Sequence, residues 1–371
     1  MKGQWTGAYS GTNEGFIIVN IDELPNCFQG VAYLSESANQ LPSSGAYFRT
    51  NDKSQQFSFR TSWISPVNPQ TGVIDSWENV KKFYGDKVSI PEYADVNGSF
   101  SNEELILSWT TNIGTNATCI LPKSKADQPS ELIPFENDWS AFKNSVAKME
   151  GRRLLFRGQN TQRRLRTAFH RTGRADLARF VSADIQMLHK HLSARTKHFF
   201  DLNIPDQNGA FFNLVQHHGY PTPLLDWSYS PYVAAFFAYR GISNEVASKA
   251  EPEAKVRIFA FDYTQWKTDL HQLSQLLTVG PHLSVTEFLA IENERMIPQQ
   301  AASTITNIDD IETYIKSKES AEKQYLVAID LPVTERKRVI QELSYMGITA
   351  GSLFPGLDGA CEELRERNFE I

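Results

Sequence analysis

The sequence predicts an α+β protein in two parts: an antiparallel β-barrel or β-sandwich over residues 1–122, then a mixed α+β domain over residues 133–371. Three observations lead there. Short β-rich runs broken by Gly, Asn, Ser and Pro fill the first third. A polar stretch, residues 122–136, is punctuated by Pro122 and Pro129 and has linker composition. Beyond it, apolar residues recur at steps of three and four between short apolar runs, the mark of helices alternating with strands. A chain of 371 residues is long enough to bury two cores.

In the first part, residues 5–9, 15–21, 30–34 and 57–61 read as strands, and residues 105–112 and 118–121 as a hairpin across Ile113-Gly114-Thr115. Alternation puts Leu105, Leu107 and Trp109 on one face. Trp77 and Trp109 are expected in the core, with a ligand cup as the alternative. No catalytic constellation stands here, so a sensing or docking module is expected, with a passive stabilising cap as the alternative.

The second part opens with a helix carrying Trp139, Phe142, Val146 and Met149, closed by Gly151. Residues 153–159 form a short strand that delivers Arg157 and Gly158. Residues 174–197 predict a long amphipathic helix through Leu177, Val181, Ile185, Leu188 and Leu192. Ser230 is placed to cap a helix with Pro231 at its first position, and the apolar run 232–239 makes that helix a buried one. Residues 244–254 read as a surface loop, 256–262 and 325–331 as strands with a long insertion between them. Residues 334–346 read as a helix with Val339, Ile340, Leu343 and Met346 inward, and a last helix follows Gly359.

Composition is that of a globular protein, 41% hydrophobic against 22% charged. The start Met1-Lys2-Gly3-Gln4-Trp5 does not read as a signal peptide, and no run approaches the ~18 apolar residues of a membrane span, so a cytoplasmic protein without membrane contact is expected. Cys27, Cys119 and Cys361 are scattered and lack ligand spacing, which fits a reducing compartment and no metal. The net charge of −6 conceals an asymmetry: residues 151–200 hold twelve Lys/Arg against Asp176 and Asp184 alone. Such a stretch points to an anionic ligand, nucleotide or nucleic acid, or else to ion pairs with the acidic remainder.

The densest chemistry lies at residues 216–231. There Gln216, His217, His218, a Gly219/Pro221 turn, Thr222 and Asp226-Trp227-Ser228 stand between two apolar runs, which suggests the wall of a pocket. Read as extended, the segment sends His217 and His218 to opposite sides, with His217 the pocket member.

Four segments in order, Phe156-Arg157-Gly158-Gln159, residues 216–228 with the helix that follows, Asn293 through Arg295 to Gln299-Gln300, and Leu353-Phe354-Pro355-Gly356-Leu357-Asp358-Gly359, together resemble the FRG domain, a bacterial module, over roughly residues 133–371. The chain departs from that pattern at Pro223, where the family usually has Arg after Thr. It departs again at Ala301-Ala302-Ser303, where Gly and an aromatic are usual. The FRG pattern is similar, more remotely, to the ADP-ribosyltransferase layout. This implies NAD as a substrate, with Arg157 on an early strand, Asp226-Trp227-Ser228 on a middle one, and Glu294 or Gln299/Gln300 in a late loop.

The resemblance thus implies Arg157, His217, Glu294 and Gln299 as the catalytic set. It also implies Gly158, Gln159, Gln216, His218, Tyr220, Thr222, Asp226, Trp227, Ser228, Arg295 and Gln300 as ligand-binding. Breaking the nicotinamide–ribose bond passes through an oxocarbenium-like state that nearby charge and hydrogen bonds stabilise, and a guanidinium at Arg157 suits a phosphate. Each residue has a plainer reading: Arg157 pairing with Asp226, Trp227 in the core, and Glu294 solvated beside Glu287 and Glu292. The expected function is ADP-ribosyl transfer or NAD hydrolysis on a protein or nucleic-acid target, in a toxin or phage-defence effector whose barrel senses a trigger. The alternatives are a nucleic-acid enzyme using residues 151–200 and a non-catalytic nucleotide sensor.

Overall fold

A computed structural model describes the whole chain except Asn39, Asp86, Lys87, Glu150, Glu370 and Ile371. Nine strands form the N-terminal part: β1 (Gly3–Gly11), β2 (Gly15–Glu23), β3 (Phe28–Glu36), β4 (Ser44–Arg49), β5 (Gln56–Thr61), β6 (Ile64–Pro66), β7 (Ala94–Phe100), β8 (Glu104–Thr111) and β9 (Asn116–Pro122). They make one antiparallel sheet in the order β5-β7-β8-β9-β1-β2-β3-β4-β6. It curls until β4 and β5 meet, where the Thr61 hydroxyl donates to the Tyr47 carbonyl and the Tyr47 amide to the Trp63 carbonyl. The result is a nearly closed barrel. Its inner face carries Tyr9, Ile17, Val19, Phe48, Leu105 and Leu107, each full burial of such a side chain contributing about 1.5–3 kcal/mol. Trp109 packs among them, while Trp77 starts a one-turn helix outside. Strands β4 and β7 escape the sequence reading because SGAYFR and ADVNGSF are short, polar and interrupted by glycine.

The second sheet comprises β10 (Phe135–Glu136), β11 (Leu155–Gln159), β12 (Leu224–Ser228), β13 (Lys255–Phe261), β14 (Leu283–Thr286), β15 (Ala301–Thr306) and β16 (Leu326–Pro332). The order is β10-β16-β13-β11-β12-β15-β14, with the β10–β16 pair parallel and the other pairs antiparallel. The fold is therefore α+β, with a barrel followed by a mixed sheet and helices. The Pro231–Tyr239 helix starts as expected, Ser230 accepting from the Val233 amide, and lies buried on one face with Trp139 and Leu343. Leu155, Trp227, Phe261 and Trp266 fill the other.

Several expectations are corrected. The 174–197 helix runs only from Leu177 to Leu192, with a π-helical turn at Phe180–Asp184. Residues 244–254 contain the Asn244–Ser248 helix, and the final helix begins at Leu357. Met346 is exposed because its helix ends at Tyr345. The stretch 122–136 is tied down: the Ser130 amide donates to Gln162 and the Glu131 amide to Glu312. Among the described residues no helix is long and apolar enough to cross a membrane.

The barrel is docked on the second sheet's helices through β2, whose residues are buried from Ile17 to Asp22. Ile17, Val19 and Ile21 face the barrel interior, whereas Ile18 packs with Val31, Tyr33, Val279 and Ile308. Asp22, 1% exposed, accepts from Arg174 Nε at 2.8 Å and from the amides of Ala175 and Asp176 at 2.9 and 3.1 Å. Gln4 bonds Asn20, the Asn307 carbonyl and the Asp309 amide.

Beside Asp22, Asp176 caps the next helix with Oδ1 while its buried Oδ2 has no partner. Burial, and secondarily the negative Asp22, push its carboxyl up to about 6 from an ordinary 3.8. The folded state thus holds this proton longer than the unfolded one, so ionised Asp176 destabilises the fold above about pH 6, and the penalty fades as pH falls toward 3.8. Asp176→Asn, which keeps the cap, is expected to stabilise by about 1–3 kcal/mol at pH 8 and by nothing measurable near pH 4. Thermal midpoints of both proteins across that range test this.

Candidate functional site

The middle motif sits on a helix end and not on an extended segment. The Pro205–His217 helix closes on Gly219 at φ 87°, with the Gly219 amide bonded to Gln216 O and the Tyr220 amide to Val215 O, both at 2.9 Å. This corrects the opposed-histidine reading: His217 occupies the last turn, half-buried, and His218 is the exposed cap. The helical pattern is obscured by Asn208-Gly209, where the Phe288 ring lies so close that a Cβ on Gly209 would meet it at 2.2 Å.

From that turn Gln216 links two segments. Its Oε1 accepts from the fully buried Thr222 hydroxyl and its Nε2 donates to Asp226 Oδ1 on β12. His217 Nδ1 lies 3.0 Å from the Asn213 carbonyl and 2.6 Å from Asn293 Nδ2, and Asn293 also donates to Asn213. Burial lowers the His217 pKa against the opposing pull of Asp226, which keeps the imidazole neutral at pH 7. Its Nε2 has no protein partner among the described residues.

On β11, Arg157 donates through Nη1 to the Asp226 carbonyl at 2.6 Å. Its Nε is buried and unpartnered. Burial first, then the positive Arg171, pulls its pKa down to about 10, so the guanidinium is still charged at neutral pH. Arg171, exposed, donates only to the Thr167 carbonyl at 3.4 Å. Neither arginine forms a salt bridge among the described residues. Elsewhere in the basic stretch Arg153 pairs with Asp262, Arg164 with Glu131 and Asp310, Arg166 with Asp309, and Arg174 with Asp22 and Asp184. Arg171 was missed in the sequence because nothing around it distinguishes it from those neighbours.

The remaining expected residues divide by what they touch. Arg295 bonds the His217 carbonyl at 2.6 Å and lies over the Phe354 ring, so it closes the helix end and joins three motifs. Ser228, buried, donates to the Gln299 carbonyl, and Gln299 Nε2 donates to Leu353 O at 2.9 Å. Gln300 stands at φ 46°, uncommon for a residue with a side chain, and its carbonyl accepts from Tyr229. Gln159 bonds the Arg163 carbonyl at the exposed strand end.

Four expected ligand or catalytic residues lie elsewhere. Trp227 is 3% exposed, its indole N–H on Thr304 and its ring stacked on Phe261, so no face is left for a ligand. Tyr220 stacks toward Phe180. Gly158 faces the Pro231–Tyr239 helix, where a Cβ would stand 1.8 Å from the Ala234 carbonyl oxygen. Glu294 is exposed and makes no hydrogen bond or ion pair among the described residues.

All four sequence segments therefore converge, through Arg157–Asp226, Gln216–Asp226, Asn293–His217, Ser228–Gln299 and Gln299–Leu353. Residues 152–246 match the FRG domain. The matched segment runs from just before β11 into the Asn244–Ser248 helix, and so contains Arg157, Arg171, His217 and Asp226. The late loop and the closing segment lie outside the match. No curated protein and no solved structure matches the chain.

Proposed function

We propose that the FRG domain binds NAD at Arg157 and breaks its nicotinamide–ribose bond, passing ADP-ribose to a target or to water. One observation carries the reading: Arg157 is anchored on the Asp226 backbone with a buried, unpartnered Nε and no salt bridge among the described residues, while Gln216, next to His217 on the helix end, holds the Asp226 carboxylate. A pyrophosphate would supply the missing anion, and Arg157, already anchored through Nη1, has Nε unspent. Asp226, whose backbone carbonyl Arg157 holds, takes the role first expected of Glu294: its charge stabilises the oxocarbenium-like ribose. His217 presents Nε2 as acceptor or donor to a ribose hydroxyl.

Incubation of the full chain with NAD is expected to release nicotinamide. Arg157→Ala is expected to lower kcat/KM by roughly a hundredfold or more, as loss of a preorganised charge contact does, and Arg157→Lys to restore only part of it. A wild-type rate in Arg157→Ala sinks the proposal. A second reading, a nucleotide sensor without turnover, is favoured by the exposed Glu294 and by the Gln299 amide being held on Leu353. Calorimetric binding of NAD without nicotinamide release selects it.

A further inference from the structure

The barrel encloses a cavity of about 330 Å³, at the small end of the ~300–1,000 Å³ range of ligand sites. Its wall includes an aromatic ladder, with Phe48, Phe59 and Phe57 stacked at 5.3 and 6.0 Å between centroids, and Trp109 packs against Tyr9. Among the described residues that line the cavity there is no Lys, Arg or His. Among its polar lining groups, Tyr9 and Glu36 lie side by side. The Tyr9 hydroxyl, in a residue only 4% exposed, and the Glu36 carboxyl face each other, with Asn13 beside them, and among the described residues Tyr9 Oη and Glu36 Oε2 make no close hydrogen bond. Buried polar groups are almost always satisfied, and an exception calls for a partner. Burial raises the Glu36 carboxyl above its usual range, so an added negative charge would be unwelcome there.

We propose that the N-terminal barrel is a receptor for a small, largely apolar, uncharged molecule that stacks on the aromatic wall and places one hydrogen-bonding group on Tyr9 and Glu36. A nucleotide suits this site poorly, since its phosphates would be buried among described lining residues that include no Lys, Arg or His. The cavity is thus separate in chemistry from the Arg157 site, and the inference does not rest on the function proposed for that site.

Two fluorescent probes with one ring frame test it on the full chain: N-phenyl-1-naphthylamine, uncharged with a single N–H, and 8-anilinonaphthalene-1-sulfonate, the same frame with a sulfonate. The neutral probe is expected to bind saturably at one site, and the sulfonate at least roughly tenfold more weakly. Ala46→Trp and Ala32→Phe, which fill the cavity from adjacent strands, are each expected to weaken the neutral probe by roughly tenfold or more. Tyr9→Phe is expected to weaken it by roughly three- to tenfold, and Arg157→Ala to leave it unchanged. Urea midpoints identify variants that remain folded. The proposal is overturned by any of three results in folded protein: no saturable binding of the neutral probe, equal or tighter binding of the sulfonate, or binding that survives both fillings.

Discussion

Asp22→Ala is expected to lower the stability of the chain by about 3–5 kcal/mol, the cost of removing one partner from a buried ion pair. The change strands more than one group. Arg174 loses contacts at 2.7 and 2.8 Å, Arg179 a weaker one at 3.5 Å, and the amides of Ala175 and Asp176 lose their acceptor. Because Asp22 sits on β2 and its partners stand just before and at the start of the Leu177–Leu192 helix, the loss falls on the joint between the barrel and the second part, not on either core. Urea unfolding followed by far-ultraviolet dichroism should show a lower midpoint and a second transition as the two parts separate. Asp22→Asn, which keeps an acceptor oxygen but not the charge, should fall between. A midpoint unchanged in Asp22→Ala would mean that the apolar contacts of Ile18, Val31 and Tyr33 hold the joint alone.

Gly158→Ala is expected to cost about 3 kcal/mol or more, beyond the usual range for one added methyl group. The added Cβ would lie 1.8 Å from Ala234 O and 2.6 Å from Ala238 N, both backbone atoms of a helix packed on β11. A side chain could rotate away; a helix axis cannot, and Val233, Ala234 and Phe236 hold this one in the core. The expected readouts are a loss of soluble protein and, in any soluble fraction, a fall in thermal midpoint of several degrees. Gln159→Ala, one residue along and at the exposed strand end, should stay within about 0.5 kcal/mol of the parent. Equal midpoints for the two variants would refute the packing role of Gly158.

The resemblance of the four ordered segments to a single domain was legible in the sequence, and the structure brings the segments into contact. What each residue does there was less legible. Gly158 stands in the same short motif as Arg157, yet one faces a helix and the other anchors on Asp226. Strand alternation separates them, but only the packed helix shows which face is which. Trp227 and Ser228 read as pocket residues by resemblance, with the core as the plainer reading of Trp227, which holds; their partners, Thr304 and Gln299, lie 77 and 71 residues away.

By itself the sequence determined the features that depend on neighbours within a few residues. These are the alternation of Leu105, Leu107 and Trp109, the Ser230–Pro231 start of a buried helix, and the concentration of arginine between residues 151 and 200. Local propensity and burial pattern are short-range and survive being read one window at a time. The tertiary structure alone decided which arginines are neutralised, where β15 inserts between β12 and β14, and that β2 is buried on both faces. It alone decided that the barrel holds a cavity in which Tyr9 and Glu36 meet. Those outcomes depend on charges and surfaces brought together from distant parts of the chain: Arg174 meets Asp22 across 152 residues, and Arg166 meets Asp309 across 143. A carboxylate's partner is set by the packed neighbours that exclude water around it, and no local window contains them.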